Sequence, residues 1–349
     1  MLSLKPPFKS PIDIFESTVV EGDVKAALAS LPSECVQCVV TSPPYWGLRD
    51  YGIPAQIGLE STMTGFIQSL TSVFEEVRRI LKPDGVLWLN IGDGFTSGNR
   101  GWRAPDKKNP NRAMNVRPVN PPGLKDKDLL GIPWRLAFSL QENGWFLRSD
   151  VVWNKPNAMP ESVKDRPTRS HEYVFMLTKS AHYTYYPDSV KERAEDGSMR
   201  NRRTVWNINT TNSGSSHIAS FPHALVEPCI LSSTTLNDFV LDPFFGSGTV
   251  GQVAQALGRR YIGIELNPDY VAEALERLRQ PWHSSRRPVH SYSNSDYERE
   301  PTLLEPPGEY SVGTGHLPEA LSPKGSGGNH PKPRPDTAKR RIGRLRAAK

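Results

Sequence analysis

The chain has 349 residues, which is enough for one large α/β domain with additions or for two domains. Its hydrophobic content of 37% is low and its 32 prolines are many, so we expect part of the chain to lie outside a packed core. The net charge is +6, but residues 330–349 carry eight Lys or Arg against one Asp, so the high pI belongs to the C-terminal end.

These features argue against a membrane protein, a secreted protein and a metal site. No apolar run approaches the roughly 18 residues of a transmembrane helix. The start, MLSLKPPFKSP, has no signal-peptide core or cleavage site, so we expect a cytoplasmic protein with no membrane partner. Cys35 and Cys38 have C-x-x-C spacing without a second pair or a histidine cluster, so we predict buried thiols and no metal.

The first predicted elements form a βαβ unit. A strand followed by a turn is predicted over residues 18–23, a helix over 24–30 and a second strand over 36–41. The clearest helix is predicted over 64–81, where apolar residues recur at three- and four-residue spacing before Pro83 and Gly85. Residues 86–91 are almost wholly apolar, which is typical of a strand in a sheet covered on both faces.

A long segment without periodicity follows this strand. Residues 92–128 are rich in Gly, Pro and Asn, and residues 99–128 carry eight Lys or Arg against three Asp. A loop of this length inside a compact domain is either functional or disordered. We therefore predict a basic insertion over 92–128, with a solvated loop of no function as the alternative.

Alternating elements resume after the insertion. Helices are predicted over 129–142, 250–257 and 268–279, the last capped by Asn267. Strands are predicted over 145–153, 173–178, 239–241 and 261–264. The pattern favours an α/β fold with a doubly wound, mostly parallel sheet. From residue 281 onward Ser, Pro and Gly dominate without periodicity, so we predict a disordered tail.

The stretch Thr41–Trp46, TSPPYW, directly follows a predicted buried strand. Pro43 and Pro44 cannot donate to a sheet ladder, and each disfavours helix in the preceding residue. The chain is therefore held extended at the carboxyl end of the strand, where open α/β sheets bind ligands. It presents a hydroxyl, a free carbonyl and two aromatic rings, which suit a planar base that carries an amino group.

A second motif, DPFFGSGT over 242–249, lies between a predicted strand and a helix. Gly246, Gly248 and Gly251 match G-x-G-x-x-G, and Glu265 ends the next strand, where it is placed to accept hydrogen bonds from ribose hydroxyls. Taken alone, this pattern also fits an NAD-binding unit. An NAD-dependent oxidoreductase is therefore one alternative, although that function would leave the TSPPYW motif without a role.

Together the two motifs resemble the β group of DNA amino-methyltransferases. TSPPYW is similar to their catalytic motif (S/D/N)-P-P-(Y/F/W), and DPFFGSGT to their S-adenosylmethionine-binding motif. The catalytic motif precedes the cofactor motif, which is the permuted order of that group. The segments HIASFPHAL, GRRYIGIELNPDY, LKPDGVLWLNIGD and RSDVVWNKPN resemble further landmarks, so the likeness covers about residues 19–279.

The resemblance implies a Rossmann-like class I methyltransferase domain over 17–280, after an N-terminal arm over 1–16 and before a basic tail over 281–349. Ser42 and the carbonyl of Pro43 would accept hydrogens from the target amino group. Pro44 completes the motif, and Tyr45 would stack on a base flipped out of the duplex. The implied cofactor-binding residues are Asp23, Asp242, Phe244, Gly246, Gly248, Thr249 and Glu265.

The implied partner is double-stranded DNA. In the β group, target recognition usually lies between a late strand and the cofactor motif. Here that interval, with residues 183–216 as the candidate region, is short. We therefore expect the basic insertion to share the contact with DNA. The expected DNA-binding residues are Arg100, Arg103, Lys107, Lys108, Arg112 and Arg117.

Ser at the first motif position is usual for cytosine-N(4) enzymes, whereas Asp is usual for adenine-N(6) enzymes. The resemblance therefore favours cytosine, with adenine as the alternative and an inactive DNA-binding homologue as a remote one. It also implies one half of a restriction-modification pair, with a cognate restriction endonuclease as partner, or an orphan or phage enzyme.

Overall fold

The computed structural model describes residues 4–5, 16–54, 56–96, 120–210, 221–280 and 282–283. All of them fall within the first of the two units into which the chain divides, residues 1–303. Both the predicted tail over 281–349, except residues 282 and 283, and most of the basic insertion lie outside the described residues. In the described part, no helix is long and apolar enough to cross a membrane.

Strands and helices alternate along most of the described chain, as predicted. The strands are β1 Leu4–Lys5, β2 Thr18–Glu21, β3 Val36–Thr41, β4 Leu81–Ile91, β5 Phe146–Asn154, β6 His171–Thr178, β7 Glu192–Arg193, β8 Met199–Arg200, β9 Val205–Asn207, β10 Phe239–Asp242 and β11 Arg260–Glu265. The helices are α1 Val24–Ala29, α2 Met63–Ile80, α3 Ile132–Glu142, α4 His223–Ser233, α5 Thr249–Ala256 and α6 Pro268–Leu278, with a 3-10 turn at Pro187–Val190. The alternation runs from β2 to β5 and from β9 to α6, whereas β5 to β9 follow one another with only the 3-10 turn between them.

Nine of these strands form one mixed sheet in the order β1-β2-β11-β10-β3-β4-β6-β5-β9. β6 is the antiparallel member and pairs with both β4 and β5, while the other pairings are parallel. The predicted doubly wound, mostly parallel sheet is therefore confirmed. β1 lies in the N-terminal arm predicted over 1–16 and pairs with β2.

The hydrophobic core has two layers, one on each face of the sheet. Helices α1, α2 and α3 pack on the face that presents Val39 and Leu87, while α4, α5 and α6 pack on the face that presents Val40 and Trp88. Successive residues of β3 and β4 alternate between the two layers, as the two-residue period of a strand requires. Both faces are buried, which explains why these strands are almost wholly apolar.

Besides β1, the short strands β7 and β8 and the 3-10 turn, the sequence analysis missed helix α4 and strand β9. Helix α4 contains Pro228 and buries residues on most of its sides, so it lacks the one-sided apolar pattern that marks a surface helix. Strand β9 has three residues, of which Trp206 is buried and Val205 is exposed, within a polar stretch. Its partner β5 supplies the pairing that the local sequence does not signal.

Candidate active site

The carboxyl ends of β2, β11, β10, β3, β4, β5 and β9 meet at one edge of the sheet because these strands are parallel. The antiparallel β6 begins at the same edge, since His171 pairs with Asn154 at the end of β5. We call this the active edge. Both motifs lie on it: Thr41 ends β3 and Asp242 ends the neighbouring strand β10.

Within the first motif, Ser42 is half-buried and Pro43 is buried. The Tyr45 hydroxyl donates a hydrogen bond of 2.8 Å to Glu172 at the start of β6. The Trp46 indole donates to the backbone carbonyl of Glu60 at 2.8 Å, and its ring packs against the core. Both aromatic rings expected to be presented to a ligand are therefore partly buried against the core and held by a hydrogen bond.

Gly92 leaves room for the Tyr45 ring because it has no Cβ atom. A Cβ atom at Gly92 would lie 2.7 Å from Cε2 of Tyr45 and 3.4 Å from Cδ of Glu172. Distances below about 3 Å are far inside van der Waals contact, where atoms repel. A glycine directly after β4 is therefore needed for the motif tyrosine to reach its hydrogen-bond partner.

Glu172 is a functional candidate that sequence reasoning missed. One of its carboxylate oxygens accepts from Tyr45 and, at 3.1 Å, from the side-chain amide of Asn90, while the other pairs with the Lys155 ammonium. The side chains of Lys155 and Glu172 are each 17% exposed. The only signal in the sequence is that Glu172 begins a strand at the active edge, and that position depends on β6 being antiparallel.

A buried hydrogen bond joins the two motifs. The Thr41 hydroxyl donates to Asp242 Oδ1 at 2.7 Å, and the backbone N–H of Phe244 donates to the same oxygen at 3.0 Å. Burial disfavours the carboxylate form and raises the pKa of Asp242 to about 7, although both hydrogen bonds oppose the shift. A carboxyl group that titrates near neutrality therefore lies where the two motifs touch.

The raised pKa of Asp242 predicts how stability depends on pH. Between pH 3.8 and about 7 the folded state binds the proton that the unfolded state releases, so the free energy of unfolding falls as pH rises through this window. A shift of this size corresponds to a loss of up to about 4 kcal/mol. Asp242→Asn has no such titration, so in urea denaturation the variant should gain stability relative to wild type from pH 4 to pH 8.

Asp165→Asn is the control for this comparison, because the exposed Asp165 pairs with Lys127 and its pKa is lowered. Its stability relative to wild type should not rise over the same window. If the difference in the free energy of unfolding between wild type and Asp242→Asn did not change with pH, the prediction would be contradicted.

Glu265, the expected ribose ligand, ends β11 beside the glycine loop. Its two oxygens accept from the backbone N–H groups of Gly246 at 2.8 Å and Asn267 at 2.9 Å. Burial raises the pKa of this carboxyl group. Each carboxylate oxygen has two lone pairs, so the side chain retains acceptor capacity after these two bonds.

Gly248 and Gly251 of the second motif lie against the Phe245 ring. Gly248 has φ of +81°, and its Cβ would meet Ala274 at 3.1 Å and the Phe245 ring at 3.3 Å. The Cβ atoms of Gly251 and Gly263 would lie 2.7 Å and 2.4 Å from the same ring. A branched side chain at Gly248 would therefore meet packed protein around Phe245.

The remaining predicted cofactor residues lie around this loop. Gly246 is buried with φ of +52°, Phe244 packs against the core, and the buried Thr249 begins α5. Asp23 at the end of β2 is exposed, and its Oδ1 accepts from the N–H of Ala26 at 3.0 Å. Asp23 is therefore the N-cap of α1, and its second oxygen takes no part in that bond.

Arg277 on α6 donates hydrogen bonds to the glycine loop, and sequence reasoning missed this residue as well. It donates to the Ser247 carbonyl at 2.6 Å and to Gln252 at 2.9 Å. Gln252 in turn contacts the His223 imidazole, which stacks on Trp282 at 5.0 Å.

A small cavity on the same side of the sheet is lined by Thr41, Asn90, Phe221 and Leu225, with the side chains of β3, β4, β6 and α4 around them.

None of the six predicted DNA-binding residues is among the described residues. Polar groups that the structure does describe at the active edge include Asn154, which donates to Asn207 at 2.8 Å, and Asn157, which exchanges hydrogen bonds with Thr210. These contacts hold the loop after β5 to the segment after β9. No cluster of three or more potential metal ligands occurs in the described ranges.

The sheet order, the helices on both faces and the two motifs on neighbouring strand ends define a Rossmann-like class I methyltransferase. The DNA methylase family model matches residues 36–276. Type II methyltransferase M.Cfr9I of Citrobacter freundii is 65% identical over 268 residues, covering 77% of this chain and 89% of that protein. Type II methyltransferase M.SmaI of Serratia marcescens is 56% identical, covering 74% of this chain and 90% of that protein.

Solved structures share the fold. PvuII DNA methyltransferase, described as cytosine-N4-specific, superposes with a TM-score of 0.57 at 22% identity over 79% of this chain and 90% of its own. A putative DNA modification methylase of Thermus thermophilus, solved with S-adenosyl-L-methionine, has a TM-score of 0.52 at 25% identity over 74% of this chain and 92% of its own. The chain belongs to the DNA methylase family and is a DNA amino-methyltransferase.

Proposed function

We propose that the protein transfers a methyl group from S-adenosyl-L-methionine to the exocyclic N4 amino group of cytosine in duplex DNA. The observation that carries the proposal is the half-buried Ser42, followed by two prolines, at the end of β3 and one strand away from the glycine loop. The two motifs therefore lie side by side at the active edge, although about 200 residues separate them in the chain.

The residues at the glycine loop fit S-adenosyl-L-methionine. Acidic side chains lie at the carboxyl ends of three neighbouring strands: Asp23 two residues after β2, Glu265 on β11 and Asp242 on β10. Carboxylates with free acceptor capacity suit the hydroxyl and amino groups of this ligand. The T. thermophilus relative, solved with the same molecule, supports the assignment. When bound, S-adenosyl-L-methionine supplies an electrophilic methyl group on a positively charged sulfur.

The motif residues would then act on the target base. The amino lone pair of cytosine is conjugated into the ring, so the nitrogen is a poor nucleophile. Ser42 and the Pro43 carbonyl each accept an amino hydrogen, which favours a tetrahedral nitrogen with its lone pair exposed. Tyr45 stacks on a flipped base, a contact worth about 1–3 kcal/mol. The chain contributes mainly through positioning.

Cytosine is favoured over adenine by the neutral Ser42 hydroxyl. A methylated amino group is acidic while it is cationic and can release its proton to water, so a serine suffices where adenine enzymes usually carry aspartate. Mass spectrometry of nucleosides from DNA methylated by the purified protein tests the proposal directly. N4-methylcytosine is the expected product, and N6-methyladenine would establish the second candidate.

The relatives named as Type II methyltransferases support a role for this protein in a restriction-modification system. In that setting, methylation of the recognition sequence would block a cognate restriction endonuclease. Plasmid DNA from cells that express the protein should therefore resist one endonuclease, while plasmid from cells that express the Ser42→Ala variant should be cut. Equal cleavage of both plasmids by a broad panel of endonucleases would argue against this role.

The basic insertion is proposed to hold DNA at the active edge, because it follows β4, the neighbour of β3. Neutralising Arg103, Lys107 and Arg112 together should sharply lower turnover on the recognition site. For every phosphate that the variant no longer binds, the slope of log affinity against log salt should also fall by roughly 0.9. The salt dependence of binding and steady-state methylation would measure both effects.

The C-terminal tail is the matched comparison, since residues 332–349 also carry eight Lys or Arg. Deleting the tail should weaken binding to all DNA modestly and leave the methylated site unchanged. If the deletion abolished site-specific methylation while the triple variant behaved like wild type, the placement of DNA against the insertion would be wrong.

A further inference from the structure

The carboxylate of Glu172 is the centre of a polar cluster beside the catalytic motif. It accepts hydrogen bonds from the Tyr45 hydroxyl at 2.8 Å and from the Asn90 amide at 3.1 Å, and it pairs with the Lys155 ammonium. Asn90 also donates to the backbone carbonyl of Tyr173 at 3.1 Å, which fixes the orientation of its amide. The Glu172 carboxylate is therefore held from β4 through Asn90 and from the residue after β5 through Lys155.

The Tyr45 ring is held at two separate points. A Cβ atom at Gly92 would lie 2.7 Å from its Cε2 atom and 3.2 Å from its Cζ atom, so this edge of the ring lies directly against Gly92. The hydroxyl, at the far end of the side chain, is bound to Glu172. The torsion that turns a tyrosine ring is only loosely restrained within the side chain itself, so these contacts set the plane of the ring.

The plane of this ring matters for the proposed reaction. Tyr45 is only half-buried, so part of the ring remains accessible at the active edge while its hydroxyl is anchored. Aromatic groups stack well only in certain relative orientations, and a ring that turns freely must first be ordered, which takes free energy from the contact. A ring that is already oriented therefore stacks on a flipped base more favourably than a free one.

We propose that Glu172 is a positioning residue that fixes the plane of the Tyr45 ring, so that the target base stacks on a ring already oriented to receive it. The inference rests on the proposed function, in which Tyr45 stacks on the flipped base. Asn90 and Lys155 contribute by holding the Glu172 carboxylate, and Gly92 contributes by leaving room for the ring.

The first test measures single-turnover methyl transfer on DNA that contains the recognition site, with S-adenosyl-L-methionine saturating. Tyr45→Phe keeps the ring and loses its bond to Glu172, whereas Glu172→Met keeps the length of the side chain and loses the acceptor. Each rate should fall roughly 5- to 150-fold, the range that corresponds to losing a base–aromatic stack, with unchanged cofactor affinity. A wild-type rate in either variant would overturn the proposal.

Glu172→Gln distinguishes a positioning role from a role of the negative charge. The amide oxygen of glutamine can still accept from Tyr45 and Asn90, so the ring should keep its plane. Glu172→Gln should therefore react clearly faster than Glu172→Met. If the two variants were equally slow, the charge of Glu172 and not its hold on the ring would be what the reaction needs, and the inference would fail.

Glu172→Met also leaves the Lys155 ammonium without its partner, and an unpaired, mostly buried charge can destabilise the fold by itself. Adding Lys155→Met removes this charge and tests the position of the ring without it. The double variant should remain slow. Recovery of the wild-type rate would show that the unpaired lysine caused the loss, which would contradict the proposal.

A second double variant tests whether Glu172 acts through Tyr45. Adding Glu172→Met to Tyr45→Phe should cause no further loss of rate, since both substitutions free the same ring. Additive losses would show that Glu172 acts independently of Tyr45. Glu34→Met is the matched control: Glu34 pairs with Lys179 at 3.0 Å near the start of β3, at the opposite edge of the sheet, so the variant should react like wild type.

Tyr45→Ala separates this inference from the proposed function, because it removes the ring itself. If Tyr45→Ala is slow while Tyr45→Phe and Glu172→Met react like wild type, only the role of Glu172 fails. If Tyr45→Ala itself reacts like wild type, the base does not depend on stacking against Tyr45. That part of the proposed function then fails, and the role of Glu172 fails with it.

Discussion

Ser42→Ala is expected to transfer methyl groups roughly 100- to 1,000-fold more slowly than wild type, the usual effect of removing one group aimed at a reacting atom. The substitution deletes the hydroxyl that would accept an amino hydrogen and leaves the proline-locked turn in place. The Ser42 side chain is proposed to face the target base and not the cofactor, so cofactor affinity should be unchanged. Single-turnover kinetics and calorimetry with S-adenosyl-L-methionine measure the two quantities.

The control for this variant is Ser72→Ala on α2, whose hydroxyl makes a long 3.4 Å contact to the carbonyl of Ser69. It should match wild type in both measurements. Turnover by Ser42→Ala comparable to wild type would refute the catalytic role of Ser42. A parallel loss of cofactor affinity would show that Ser42 supports the fold of the active edge instead of the reaction.

Gly263→Ala is expected to destabilise the protein by about 3 kcal/mol or more, at the upper end for overpacking a core. Gly263 lies in β11, and its Cβ would come within 2.4 to 2.6 Å of three atoms of the Phe245 ring. The ring cannot retreat, because it stacks on Tyr261 and is also enclosed by Gly248 and Gly251. Urea denaturation of the purified variant gives the change in the free energy of unfolding.

Gly94→Ala is the matched control, because its Cβ would approach only the flexible end of Leu130 at 3.3 Å. Its effect should be small. Combining Gly263→Ala with Phe245→Leu should recover part of the loss, since leucine leaves room for the added methyl group. If Gly263→Ala were as stable as wild type, the strand could shift to accommodate the ring, and the rigid packing around Phe245 would be wrong.

The sequence predicted the helices and strands that carry periodic apolar residues, because their burial depends on spacing along the chain. The pairing of β3 with β4 sets the strand before Ser42 beside the strand that was predicted over 86–91. Both motifs were found because their residues are adjacent in the chain. Their side-by-side position at the active edge follows from parallel pairing, which sequence patterns can indicate.

Contacts that cross the sheet could not be predicted from the sequence. Glu172 becomes relevant only when the antiparallel β6 brings it opposite Gly92, and the sequence does not specify the direction of β6. The contact of Gly248 and Gly251 with the Phe245 ring could not be predicted for a related reason: G-x-G-x-x-G suggests close approach of a ligand and does not indicate packing against this ring. A motif reports which positions must be small and leaves open what fills the space.

The hydrogen bond from Thr41 to Asp242 spans 201 residues of sequence and one step across the sheet. The cofactor that donates the methyl group and the base that accepts it would therefore be brought together because the strands that carry the two motifs are neighbours. The order of the two motifs in the gene does not matter for this. Rearranged genes that place the glycine loop first could build the same junction. Selection can thus preserve this junction while the order of its parts, and the segments inserted between them, diverge among enzymes that recognise different DNA sequences.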